Sequence, residues 1–331
     1  QRPLYNQFEK GIRKEVDSMY PMKLKPVYDK TIWANDRLTT MRGMKDKGLG
    51  TCWEISAHPH AKNVILNGEY AGKTLDELIQ ADPQSILGEK QLHQMLRLAY
   101  LDAREDLSIQ VHPYDEYARA HENDEGKTES WYILEADKGA TLVAGTTASD
   151  AAVIKAAVAN DQVEDYVRKV EVEAGDFVCI DAGMLHALGK GILALEIGQN
   201  SNTTYRFYDY HRKDANGRER ELHIDKSFAV ADFGLHCNKV ASPFTDGDTT
   251  QEKLLVDRRE FSVRLVDVAG SYVLPQDEKR FYCLSNVSAD CVLRYQGEEL
   301  PFAFTENIFV PAGCADIEIC GKARILVSFV R

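Results

Sequence analysis

From Glu171 onward the chain is written almost without pause in short β-like runs, which confines it to folds in which antiparallel strands stack or roll up on themselves. Phe177-Val-Cys-Ile180, Ile192 to Ile197 and Thr203 to Tyr210 are separated by Gly-rich turns. Beyond about residue 235 the pattern continues with Phe261 to Val266, Arg280 to Val287, Cys291 to Tyr295 and Ile325 to Val330. Met22 to Leu66 is also strand-like, with turn residues at Ala34-Asn-Asp36 and Gly48-Leu-Gly50. Helices are the exception. Thr74-Leu-Asp-Glu-Leu-Ile79 opens as a capped helix, because Thr74 can accept a backbone N–H and Glu77 follows three residues on. A second helix is expected over Glu89 to Leu98, and one or two more between Ser149 and Lys169. Segment 105–134 reads as two strands around a polar connection, and the charged first ~20 residues as a leading arm or helix. The fold class expected is mainly β, a sandwich or jelly roll with inserted helices rather than a parallel α/β sheet. A length of 331 residues exceeds one compact domain. We expect an arm over 1–21, a principal domain over 22–235 and a smaller C-terminal β domain over 236–331.

One strand carries more than folding information. In Leu107-Ser-Ile-Gln-Val-His-Pro113 apolar Leu107, Ile109 and Val111 alternate with Ser108, Gln110 and His112, so Gln110 and His112 project from one face. Gly126-Lys-Thr-Glu-Ser-Trp131 repeats the device with Lys127 and Glu129, and Gly183-Met-Leu-His-Ala-Leu188 places His186 after an apolar strand. Gln, His, Glu and His from separate strands form a mixed O/N donor set suited to Zn²⁺ or a similar divalent ion. A lone strand histidine is more often a hydrogen-bonded interior residue, so spacing by itself leaves a metal centre and a buried polar cluster both open.

Composition narrows the partners. A net charge of −12 disfavours non-specific attraction to nucleic acid or anionic membrane, so an anionic substrate needs a local basic cluster. The seven cysteines are scattered with no Cys-x-x-Cys, which suggests neither a disulfide framework nor a cysteine zinc site. No apolar run approaches the ~20 residues of a membrane span, and Gln1 to Lys10 lacks the apolar core of a secretory signal, so a cytoplasmic location is expected. There is no Walker loop, Rossmann glycine fingerprint or Gly-x-Ser-x-Gly elbow.

Gln110-Val-His-Pro113, Gly126-Lys-Thr-Glu129, Leu185-His-Ala187, Gly189-Lys-Gly-Ile-Leu193 and Thr203-Thr-Tyr-Arg-Phe-Tyr-Asp-Tyr210 together resemble, in order and spacing, the type I mannose-6-phosphate isomerases, most closely their short bacterial branch. Lys25-Pro-Val-Tyr28 with Ile32-Trp33, Trp53-Glu-Ile-Ser56 and Asp102 to Leu107 extend the likeness over most of residues 22–228. The resemblance implies a cupin fold, a double-stranded β-helix, and one Zn²⁺ held by Gln110, His112, Glu129 and His186. It implies an active-site arginine at Arg206, an acidic residue at Glu196 and a lysine at Lys127, and a phosphorylated hexose as substrate. Glu196 is the leading proton carrier on this reading and Arg206 the oxyanion contact, with Ser108, Lys190 and Arg212 as further substrate contacts. The chain departs from the family at Ala99, where a lysine is usual, at Trp33-Ala-Asn35 in place of Trp-Gly-Gly, and at Asn202 and His211, where aspartates are common. A cupin isomerase or epimerase for another sugar, and a non-catalytic sugar-binding cupin, stay open at this level, as does the choice between monomer and homodimer.

Overall fold

The computed structural model describes residues 19–331 except 215, 242, 243, 245 and 246; the expected arm over 1–21 falls almost wholly outside the described residues. The chain is mainly β and is organised around three antiparallel sheets. A six-stranded sheet takes the order Phe177–Ile180, Glu129–Ala136, Ile192–Gln199, Leu96–Ala103, Leu49–Ile55, Val27–Lys30. A five-stranded sheet takes the order Tyr205–Tyr208, Ile109–Val111, His186–Ala187, Thr141–Thr146, Val167–Glu171. These two face each other across one core of Leu101, Trp131, Ile133, Leu142, Ala144, Val178, Leu188 and Ile192. That is the rolled β architecture expected from the strand-rich text.

Strict alternation along the strands sorts the remaining side chains. Leu96, Leu98, Tyr100, Tyr132, Leu193, Leu195 and Ile197 leave the back of the six-stranded sheet and pack with Val263, Leu265, Phe309 and Leu326. Those partners belong to a nine-stranded sheet made largely of the C-terminal region, whose path ends on Met22–Lys25 and Val64–Ile65. The N-terminal strand therefore joins the sheet of the chain's far end, through Met22 opposite Phe309 and Lys23 opposite Ile308. Ile109, Val111, Leu185, Ala187, Tyr205 and Phe207 leave the outer face of the five-stranded sheet and are covered by Ile154, Val230 and Phe233.

The helices differ from expectation in one informative place. Leu75–Ala81 starts at Thr74 with both halves of a capping box, Glu77 N donating to Thr74 Oγ1 and Thr74 N donating to Glu77 Oε2. Ala151–Ala159 falls inside the expected helical stretch. The polar connection after His112 holds a further helix, Asp115–His121. Glu89 to Leu98, however, holds only a 3₁₀ turn at Leu92–Gln94, after which the fully buried strand Leu96–Ala103 begins. Pairing on both edges, to Ile192–Gln199 and Leu49–Ile55, outweighs the helix propensity of Leu, Arg and Ala there. No helix among the described residues is long and apolar enough to cross a membrane.

Candidate metal centre and substrate cleft

The interior of the roll changes from apolar to charged in three successive rows of paired residues. The deepest runs Thr51, Leu101, Ala194, Ile133; the next Trp53, Ala99, Glu196, Trp131, Val178; the last Arg97, Gly198, Glu129, Ile180. The facing sheet supplies a row of its own, because Gln110 pairs with both His186 and Arg206. Two polar rows thus meet at one end of an otherwise apolar roll.

His112, Glu129 and His186 are all buried, and their candidate donor atoms lie within 4.8 Å of one another. His112 Nε2 is 3.4 Å from Glu129 Oε2, and His186 Nε2 is 3.4 Å from Glu129 Oε1. The other imidazole nitrogens are engaged outward: His112 Nδ1 lies 2.9 Å from Thr203 O and His186 Nδ1 2.8 Å from Met184 O. An Nδ1–H donated to a backbone carbonyl leaves the Nε2 lone pair aimed inward, which is the usual support of a metal-binding histidine. The Gln110 amide reaches the same point, 3.4 Å from His186 Nε2, and its terminal O and N are interchangeable by rotation.

Electrostatics keep this set in its ligating state. Burial, then Lys127, push His112 below the usual histidine range against the pull of Glu129. Burial, reinforced by His112, pushes His186 down to about 3. For Glu129 burial acts upward, but Lys127 and the two histidines outweigh it and hold the carboxyl well below its ordinary value. Neutral imidazoles thus face an ionised carboxylate. His112 Nε2 and Glu129 Oε1 are buried without a hydrogen-bond partner, while Lys127 Nζ is ion-paired to Glu129 Oε2 at 2.5 Å. Unpaired buried lone pairs are costly unless something binds them, so the donor set fits a divalent cation with two imidazoles, one carboxylate and one amide oxygen.

Beside these donors opens a cleft of about 620 Å³, lined among others by Trp53, Ser108, Gln110, Lys127, Glu196 and Arg206. Lys127 Nζ bridges Glu129 and Glu196 Oε1, at 2.5 and 3.0 Å. Arg206 projects from the strand next to Gln110, donates from Nη1 to Glu221 O at 2.8 Å, and keeps its Nε buried and unpartnered.

Two expected substrate contacts lie elsewhere. Lys190 lines a separate cleft of about 450 Å³ with Arg104, Lys138 and Lys169, because it precedes Ile192 at the apolar end of the roll. Arg212 is taken up by Asp209, at 2.5 Å, and by the Asp106 carbonyl, and is not among the cleft residues. In their place the cleft receives two arginines that the motifs do not single out, Arg97 and Arg220. Arg220 sits on Asp209, its Nε 2.7 Å from Oδ2. The alternation Leu96, Leu98, Tyr100 against Arg97, Ala99, Leu101 is the signal that would have placed Arg97 inside.

Comparison with known proteins agrees with this geometry. Residues 22–154 match the model of the phosphomannose isomerase type I catalytic domain, and residues 251–330 that of the mannose-6-phosphate isomerase cupin domain. The mannose-6-phosphate isomerase ManA of Bacillus subtilis is 35% identical over 311 residues, 93% of this chain and 98% of its own length. A mannose-6-phosphate isomerase of Streptococcus mutans is 37% identical over 77% of this chain and 81% of its own. The crystal structure of the Bacillus subtilis mannose 6-phosphate isomerase superposes with a TM-score of 0.83 at 35% identity, covering 93% of this chain and 99% of that one. A variant phosphomannose isomerase from Salmonella typhimurium shares the fold, with a TM-score of 0.72 at 17% identity over 94% of this chain and 99% of that one. Residues, fold and relatives converge: the chain belongs to the type I phosphomannose isomerases, enzymes that interconvert mannose 6-phosphate and fructose 6-phosphate.

Proposed function

We propose that this chain isomerises mannose 6-phosphate and fructose 6-phosphate with Zn²⁺ held by Gln110, His112, Glu129 and His186, and with Glu196 as the proton carrier. The observation that carries the reading is the buried cluster of His112, Glu129 and His186, with His112 Nε2 and Glu129 Oε1 lacking any hydrogen bond, directly beside a cation-lined cleft. When bound there, the ion supplies Lewis acidity to the sugar oxygens, whose developing negative charge is the main barrier to the reaction. A neutral amide among the donors, in place of a second carboxylate, leaves the ion more of its charge for that purpose.

The chain's own groups do the rest. Both cations flanking Glu196 lie on Oε1, so Oε2 is the oxygen left for proton transfer. Oε2 takes the proton from C2 while the C2–H electron pair forms the C1=C2 bond and the C1=O1 π pair moves onto O1, giving a cis-enediolate. The O2 proton passes to O1, and return of the proton from Oε2 to C1, as the O2 electron pair forms the C2=O2 bond, yields the ketose. Lys127 offsets negative charge on the enediol oxygens from the same side. Arg206 is the phosphate contact, with Arg220 beside it at the cleft wall adding positive charge, which explains how a chain of net charge −12 attracts an anion: the positive charge is local. Ser108, buried at the cleft wall, completes the contacts.

The test is the rate of mannose 6-phosphate conversion by purified protein before chelation, after it, and after Zn²⁺ is restored. Activity lost and regained is expected. Activity that survives with no metal bound removes the ion from the mechanism, and a metal-loaded protein without turnover removes this substrate.

A further inference from the structure

Strand Leu96–Ala103 presents Arg97, Ala99 and Leu101 inward, opposite Gly198, Glu196 and Ala194 of its neighbour. Position 99 is therefore the one directly beside Glu196, where paired side chains begin ~5 Å apart, yet it offers only a methyl group. The countercharge comes diagonally. Arg97 is buried, its Nη2 donates to Glu196 Oε1, its Nη1 donates to Ser201 O at 2.9 Å, and its guanidinium lies 4.3 Å from the Trp53 ring centroid. Gly198 makes the diagonal reach possible, since no side chain stands between Arg97 and the interior at that row.

A buried guanidinium is costly to desolvate and holds its place only when its partners are fixed. Here they are: a carboxylate, a backbone carbonyl and an indole face grip it on three sides. Lys127 is divided between Glu129 and Glu196, whereas Arg97 pairs with Glu196 alone.

We propose that Arg97 is a positioning residue of the isomerase: it pins Oε1 of Glu196, so that Oε2 is aimed at C1 and C2, and it does from position 97 what the residue directly opposite Glu196 does not. This rests on Glu196 carrying the proton, as set out above. A planar fork stacked on an indole fixes direction, whereas a lysine ammonium on a flexible stem supplies charge with little direction.

The experiment compares the metal-loaded parent protein with Arg97→Met, Arg97→Lys and the double variant Arg97→Met/Ala99→Lys, measuring kcat and KM for mannose 6-phosphate, bound metal and thermal midpoint. We expect Arg97→Met to lose on the order of 100-fold in kcat, the scale of one lost electrostatic contact in an active site, with KM changed by less than about threefold, as for an interaction absent from ground-state binding. Restoring a cation at position 99, in register with Glu196, is expected to return about tenfold of that loss. Near-normal kcat in Arg97→Met, a loss confined to KM, or a folded, metal-loaded double variant no better than the single one overturns the proposal. Should Arg97→Met fail to fold, Arg97→Lys decides: a reduced kcat at unchanged KM supports the role, and full kcat refutes it. A parent protein that does not turn over mannose 6-phosphate overturns the assigned reaction and this role with it, whereas an active parent with an indifferent Arg97→Met overturns this role alone.

Discussion

At the scale of single residues, charge is arranged in small sets, and one of them makes the stability of the protein depend on acidity. Asp209 is buried between Arg212 and Arg220, which approach to 2.5 Å. Burial pushes its carboxyl up, but the two guanidinium groups outweigh burial and leave it below its ordinary value. A folded-state value lower than the unfolded one contributes stability that is fully present above about pH 4 and is lost as the pH falls through the folded value. Urea midpoints measured from pH 6 down to pH 3 are expected to fall for the parent protein and to fall less steeply for Asp209→Asn. An equal slope in the two removes Asp209 from the acid response. Asp124 works in the same direction: burial pushes it up, but His58 beside it and hydrogen bonds from Thr203, Asn202 and Glu125 together outweigh burial and leave it lowered.

At the scale of elements, the site is a matter of register. Glu129 enters the interior because Trp131 and Ile133 do, and Glu196 because Ile192 and Ala194 do. Gly198 lies where a Cβ would stand 2.8 Å from Thr128 O and 2.9 Å from Glu129 Cβ. Gly198→Ala must therefore displace the strand that carries Glu129. We expect metal retention against a competing chelator to drop by about 10-fold or more, as when a ligand loses its support, while the circular dichroism of the folded chain is kept; unchanged retention would sink the idea. The same register explains what could be read in advance. The alternation in Leu107 to Pro113 points Gln110 and His112 to one side whatever the tertiary structure, and His112 lies in the cluster with Glu129 and His186 while Gln110 comes within 3.4 Å of His186. Arg97 was hidden because Glu89 to Leu98 carries residues that also suit a helix, and only pairing on both edges decides for a strand. Lys190 and Arg212 lie close in sequence to true cleft residues, but sequence proximity does not say at which end of a roll a side chain emerges.

At the scale of the whole molecule, the two sheet systems are joined by a polar knot within an apolar seam. Arg42 donates to Glu54 Oε1 at 2.8 Å, to Tyr28 at 2.9 Å and to Thr305 O at 2.6 Å, while Asn307 donates to Glu54 Oε2 at 3.1 Å. Glu54 is 3% exposed. Arg42→Ala leaves that carboxylate buried without its cation, and breaking such a pair costs about 3–5 kcal/mol. A denaturant midpoint lowered to match is expected; a shift no larger than that of an exposed pair would mean the knot is solvated.

The strand Met22–Lys25 meets Val64–Ile65 on one edge and Asn307–Val310 on the other. During synthesis its first partner emerges almost at once. The second follows some 280 residues later, a delay of roughly 15–60 s at ribosomal rates. For that interval one edge of Met22–Lys25 is a row of unpaired amides and carbonyls, exposed to pairing with other strands until Asn307–Val310 has been made.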